Sequence, residues 1–138
     1  MPADIKDDGD TEMSYSKNAQ QYKAQSINTM TQGELLLLLY DELVKRLTQA
    51  ELALDKQLYP VFEASVQRGL EIVDYLDATL DRKYPISAEL ARLYEYFTYE
   101  LGRAKIGRNK TVLTHTKEKI IEIRDAFRVA QKDGESRK

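Results

Sequence analysis

Apolar residues recur at alternating spacings of four and three over four long stretches of the chain. The first runs Leu36, Tyr40, Leu43, Leu47, Ala50, Leu54, and the second Phe62, Val66, Gly69, Val73, Leu76, Leu80. The third runs Leu90, Tyr94, Phe97, Leu101, Ala104, and the fourth Leu113, Thr116, Ile120, Ile123, Phe127, Ala130. This spacing keeps one stripe of a helix apolar, so it predicts helices packed lengthwise on one another. The punctuation between them agrees. Thr31-Gln32-Gly33-Glu34 has the spacing of a capping box, with the threonine hydroxyl on the amide three residues on and the glutamate able to reach back. Pro60 suits the first turn of the second helix. Tyr84-Pro85 stops that helix, because the residue before a proline is pushed out of helical geometry. Ser87 is expected to cap the third helix, with Glu89 complementing the dipole in its first turn. Gly107 to Asn109 is expected to stop the third helix, the fourth to run from about Thr111 to Lys132, and Asp133-Gly134 to end it. Comparable helices with short connections predict an all-α fold, an antiparallel up-down-up-down four-helix bundle with a short N-terminal cap segment.

Two features depart from a simple seam. Leu35 to Leu39 are five consecutive leucines, and at about 100° per residue they cover every side of the helix. A helix that is apolar all round must be covered all round, so something besides the bundle core is expected over its first turns. Gly69 falls on the second seam, where glycine costs about 1 kcal/mol relative to alanine; a close approach by a neighbouring helix is the expected compensation.

The N-terminal residues divide by composition. Residues 1–14 carry five acidic side chains and little that is apolar, so a disordered tail is expected. Residues 15–30 contain Tyr15, Ala19 and Tyr22 on one face of a weak helix, with Ile27 and Met30 beyond. This segment is a candidate cover for the leucines. Periodicity by itself favours a permanently docked helix over a lid that a partner displaces. The expected organisation is then tail 1–14, cap segment 15–30, bundle 31–132 and polar tail 133–138.

Composition narrows the chemistry. The 138 residues suit one domain, and the absence of cysteine excludes disulfides, thiolate metal sites and a cysteine nucleophile. A formal net charge of −2, with 32% of residues charged, gives no field that argues for nucleic acid or an anionic membrane. No segment resembles a secretory signal or a membrane span, so a soluble, unprocessed cytoplasmic protein without membrane insertion is expected. The basic residues Arg103, Lys105, Arg108 and Lys110 are explained by the helix dipole at a C-terminus. The one histidine, His115, stands among threonines and has no Glu-x-x-His partner. No phosphate loop, dinucleotide pattern or nucleophile elbow occurs, and the carboxylates alternate with cations along solvent faces. Neither an enzyme nor a cofactor is expected. Nine tyrosines against three phenylalanines suit surfaces that are alternately covered and exposed, and Tyr94, Tyr96 and Tyr99 cannot all face one core. They are either rim packing or the wall of a groove for an amphipathic segment.

These residues also resemble a known family. Tyr22, Ser26-Ile27-Asn28-Thr29, Gly33-Glu34-Leu35 and Leu39-Tyr40-Asp41 are similar to the opening of FliS, the flagellar secretion chaperones for flagellin. Leu76-Asp77-Ala78-Thr79-Leu80-Asp81, Ile86-Ser87, Leu93-Tyr94-Glu95-Tyr96, Leu101, Ala104 and Arg124-Asp125-Ala126-Phe127 follow in the family's order, so the resemblance spans about Tyr22 to Phe127. Departures are Ala19 for a tyrosine, Gln32 for a proline, Glu42 for a glycine, Tyr99-Glu100 for an arginine pair, Lys105 for an asparagine and Phe127 for a tryptophan. They concentrate on the third helix and put the family's client preference in doubt there. The resemblance implies a bundle that binds the disordered C-terminal segment of flagellin, keeps it monomeric and presents it to the flagellar type III export gate. It also implies that an N-terminal segment covers the groove until the client displaces it. Carried over, Tyr22 and Ile27 belong to that movable cap. Leu35, Leu38 and Tyr40 lie at or under the covered surface, and Tyr94, Tyr96 and Leu101 fall in the matching motif of the third helix. The rival readings are a structural or regulatory bundle that self-associates through its leucines, to a homodimer when no client is present, and, more distantly, a carboxylate enzyme.

Overall fold

The computed structural model describes residues 30–136, as helices α1 (Gln32–Asp55), α2 (Tyr59–Ala78), α3 (Ile86–Gly107) and α4 (Lys110–Ser136). The chain divides into two units, and the one that holds the described bundle begins at Leu36. The first turn of α1 starts as its sequence requires: the Glu34 amide donates to the Thr31 hydroxyl at 3.1 Å. Only this half of the capping box forms among the described residues.

Within the unit, contacts between helices fix the direction of each. Asp41, Glu51 and Asp55 of α1 meet Arg124, Lys117 and Lys110 of α4, so one number rises as the other falls. Gly69 of α2 meets Leu47 and Leu43 of α1, and Lys105 of α3 donates to Gln67 of α2. Helices α3 and α4 pack against each other. The result is the expected antiparallel bundle. Tyr40, Leu43, Leu47, Phe62, Val66, Val73, Leu76, Phe97, Leu101, Leu113 and Ile120 have no exposed surface, and these are seam positions from all four helices. Burying one such side chain fully contributes about 1.5–3 kcal/mol. Leu36, Leu54, Leu80, Ile123 and Phe127, toward the ends of the seams, are only partly buried. A Cβ placed on Gly69 would stand 3.0 Å from Leu47 Cδ2, which is the close approach its position on the seam implied.

The helix ends correct two expectations, at Ser87 and at Asp133-Gly134, and agree with the stop at Gly107 to Asn109. Ser87 does not cap α3. It lies inside the helix, nearly buried, and its hydroxyl donates to the Asp81 carbonyl, pinning the preceding turn instead. Helix α3 stops at Gly107, but the residue that turns left-handed is Arg108, at φ 48°. The Asn109 amide then donates to the Ala104 carbonyl at 3.0 Å, a Schellman closure. Arg108 is held there by its guanidinium, 3.7 Å from the centroid of the Tyr59 ring. Asn109 caps α4, accepting from the Val112 amide at 3.1 Å. At the far end α4 continues through Asp133-Gly134 to Ser136; one solvent-exposed glycine near a helix end costs too little to stop it.

Candidate partner-binding site

The leucine run occupies the first turns of α1, and none of Leu35 to Leu39 is fully buried, whereas the next residue, Tyr40, is completely so. Leu36 and Leu39 pack against the core. Leu37 and Leu38 lie half-buried on the remaining sides of the helix, as an all-round apolar sequence demands. Beneath them the bundle is tied by aromatic rings. The Tyr40 ring centroid is 6.5 Å from that of Tyr94 and 5.7 Å from that of Phe127, so α1, α3 and α4 meet at this level. The two tyrosine hydroxyls share a buried hydrogen bond of 2.6 Å. Burial pushes the Tyr40 hydroxyl well above the usual tyrosine range, and the neighbouring Tyr94 pushes it further. Burial raises Tyr94 as well; the Tyr40 hydrogen bond works against that rise and the Asp77 charge adds to it. Neither hydroxyl carries charge at neutral pH, so each ring is a fixed strut.

The structure sorts the site residues expected from sequence into two groups. Tyr40, Tyr94 and Leu101 are in the core, with 0%, 1% and 0% of their surface exposed. Their side chains lie beneath the surface in this structure. Leu35 and Leu38 are half-buried, and Tyr96 is exposed, its ring 6.0 Å from that of Phe97. Tyr22 and Ile27 lie outside the described residues. On α3 the apolar side chains that do reach solvent are Ile86, Leu93, Tyr96, Tyr99 and Ile106. Leu93 and Tyr99 lie off the third seam in the sequence, and that offset was the signal; Tyr99 was already among the tyrosines read as rim packing or a groove wall.

Between α2 and α3 lies a cleft of about 610 Å³, lined by Asp74, Asp77, Arg82, Ala91, Tyr94, Glu95, Thr98 and Tyr99. Arg82 pairs loosely with Asp77 at 3.9 Å. Thr98 turns its hydroxyl back to the Tyr94 carbonyl at 2.9 Å. Among the described residues no group of three or more His, Cys, Asp or Glu side chains could hold a metal ion, and His115 is exposed on α4. The basic residues at the end of α3 are all engaged. Arg103 pairs with Glu100, Lys105 bonds Gln67, Arg108 covers Tyr59 and Lys110 pairs with Asp55. They form helix-end and inter-helix contacts instead of a free cationic patch. No described helix is long and apolar enough to cross a membrane.

Comparison with known proteins gives this arrangement its context. The family model for the flagellar protein FliS matches residues 15–134. The curated flagellar secretion chaperone FliS of Bacillus subtilis (strain 168) is 28% identical over 109 residues, which is 79% of this chain and 82% of that relative. A bundle whose first long helix opens with turns that are apolar all round, with the ordered motifs from Tyr22 to Phe127 and a family match across most of the chain, places this protein in the FliS family of flagellar secretion chaperones.

Proposed function

We propose that the protein is a cytoplasmic export chaperone that binds the disordered C-terminal segment of flagellin, prevents its premature polymerisation and hands it to the flagellar type III export apparatus. Binding, not catalysis, is the activity assigned. The observation that carries this reading, beside the family, is the half-buried leucine run directly above a rigid aromatic floor. A disordered client orders as it binds, so its affinity depends on a large apolar footprint on a surface that does not itself reorganise. Leucines on every side of one helix supply such a footprint, and the Tyr40–Tyr94–Phe127 contact beneath them supplies the rigidity.

In this reading Leu35 and Leu38, with Tyr96 on α3, touch the client. Tyr40, Tyr94 and Leu101 support the surface from below. Residues 15–30, with Tyr22 and Ile27, act as the cap that the client displaces, and residues 1–14 are a solubilising tail. The test is calorimetric titration with a peptide of the last forty or so residues of flagellin from the same cell. A saturable one-to-one isotherm with a clearly negative heat-capacity change is expected, because apolar surface is buried as the peptide folds. A flat trace from a folded protein whose mass rises with concentration would replace this reading with a self-associating bundle.

A further inference from the structure

A second apolar surface lies on the α1–α2 face, at the opposite end of α1 from the leucine run. Two adjoining clefts share Val61 and Ser65: one is lined also by Leu52, Leu58 and Lys56, the other by Pro60, Ala64, Arg46 and Arg68. Leu52, Leu58 and Val61 expose 56%, 48% and 52% of their surface. From Leu38 to Leu52 is a rise of about 21 Å along the helix, so this surface is distinct from the leucine run. It is also stiff. The turn that carries Leu58 is closed by its own amide, which donates to the Ala53 carbonyl at 2.8 Å. Rigid, exposed apolar side chains lining a concave face between two helices are what an amphipathic helix docks into.

The charge on this face selects the occupant. Every charged side chain lining the two clefts is a cation, Arg46, Lys56 or Arg68, on a protein whose net charge is −2. Arg46 and Arg68 are held loosely on their own helices, Arg46 by Glu42 at 3.7 Å and the Gln49 side-chain oxygen at 3.4 Å and Arg68 by Glu71 at 3.8 Å, so they can turn to a partner. We infer that the α1–α2 face docks a partner protein through an amphipathic helix whose apolar stripe is flanked by aspartate or glutamate. An anionic lipid surface shares the charge logic but not the shape, since a flat bilayer does not fill a groove between two helices. This inference stands apart from the flagellin reading and does not need it.

The test uses the full chain and two labelled synthetic helices of about 18 residues, roughly 27 Å long. Both carry a leucine stripe, flanked in one by glutamate and in the other by lysine. Fluorescence anisotropy is expected to show the glutamate helix binding about tenfold more tightly at low salt, since three rim cations each add a modest surface contribution. The preference should shrink as salt is added. Val61→Glu should weaken binding at least tenfold while preserving helicity, because an exposed acid in the first turn of α2 suits the helix dipole. Val129→Glu, on the exposed side of α4 away from the clefts, should leave binding unchanged. No binding, equal binding of the two helices, or indifference to Val61→Glu would overturn the inference. So would binding only to phosphatidylserine vesicles in a sedimentation arm. Titrating the flagellin peptide into Val61→Glu separately tells a failure of this face from a failure of the client site.

Discussion

The buried tyrosine pair makes the sharpest claim about how the bundle is held. Tyr40 and Tyr94 have 0% and 1% of their surface exposed, and each hydroxyl is the other's partner at 2.6 Å. Changing either one to phenylalanine leaves the other hydroxyl buried without a partner, which costs about 1–3 kcal/mol. Changing both removes the polar atoms together and leaves two rings in the same packing, so the double variant should lie within about 1 kcal/mol of the parent. The two single effects are therefore strongly non-additive, with a coupling energy of at least about 1 kcal/mol. Urea unfolding followed by circular dichroism, with an unchanged slope against denaturant, reads all four corners of the cycle. If the double variant lost the sum of the single losses, the two hydroxyls would act independently of each other and the reasoning would fail.

The same pair predicts a pH dependence with a definite sign. Both hydroxyls are raised in the folded state, while in the unfolded chain they titrate near about pH 10. Their contribution is therefore fully present below about pH 10 and is lost above it, where the unfolded chain sheds protons that the native state keeps; stability should fall less steeply there in the double phenylalanine variant. Gln57 sits left-handed at φ 57° with an exposed side chain, so Gln57→Gly should raise stability by about 1 kcal/mol, measurable as a rise in Tm. Gly69 and Gly102 should respond in opposite directions. An added methyl meets buried Leu47 at 3.0 Å in the first case and nothing within 4 Å in the second, so Gly69→Ala should lose about 1 kcal/mol to overpacking and Gly102→Ala should gain up to about 1 kcal/mol. Leu38→Asp should weaken the flagellin-peptide isotherm at least tenfold while helical content stays within error; collapse of the fold in step with binding would remove Leu38 from the client surface.

The four seams were readable because a helix buries one stripe, and that periodicity survives in any bundle core. Gly69 on a seam pointed to a close approach by a neighbouring helix, which is α1. The site was less readable, for a physical reason. Tyr40, Tyr94 and Leu101 obey the same four-three spacing as Leu43 and Phe97, and periodicity does not separate a residue that forms a groove from one that lies under it. Only depth does, and depth depends on where the other helices stand. Helix ends were the other weak point. Ser87 had the right residue type for a cap, but the turn after α2 offered its hydroxyl the Asp81 carbonyl. The left-handed position fell on Arg108 instead of the adjacent glycine, because stacking on Tyr59, a residue far away in sequence, holds it there. The exposed Leu52 and Val61 were visible as apolar residues just off the seam, which the search for a core passes over.

The ion pairs between the first and last helices bear on the order in which the chain can assemble. All the acids in them are on α1 and all the bases on α4: Asp41 with Arg124 and Arg128, Glu51 with Lys117, Asp55 with Lys110. The partners are separated by 55 to 87 residues. During synthesis α1 therefore leaves the ribosome long before the helix that completes its surroundings. Until α4 follows, Tyr40 lacks the Phe127 ring and a row of carboxylates has no counter-charge. The nascent chain is then a half-open bundle with the α4-facing side of α1 uncovered, the state in which a binding surface of this kind is most prone to aggregate. Closure by α4 comes last among the four helices, and the charge row sets the register in which it docks.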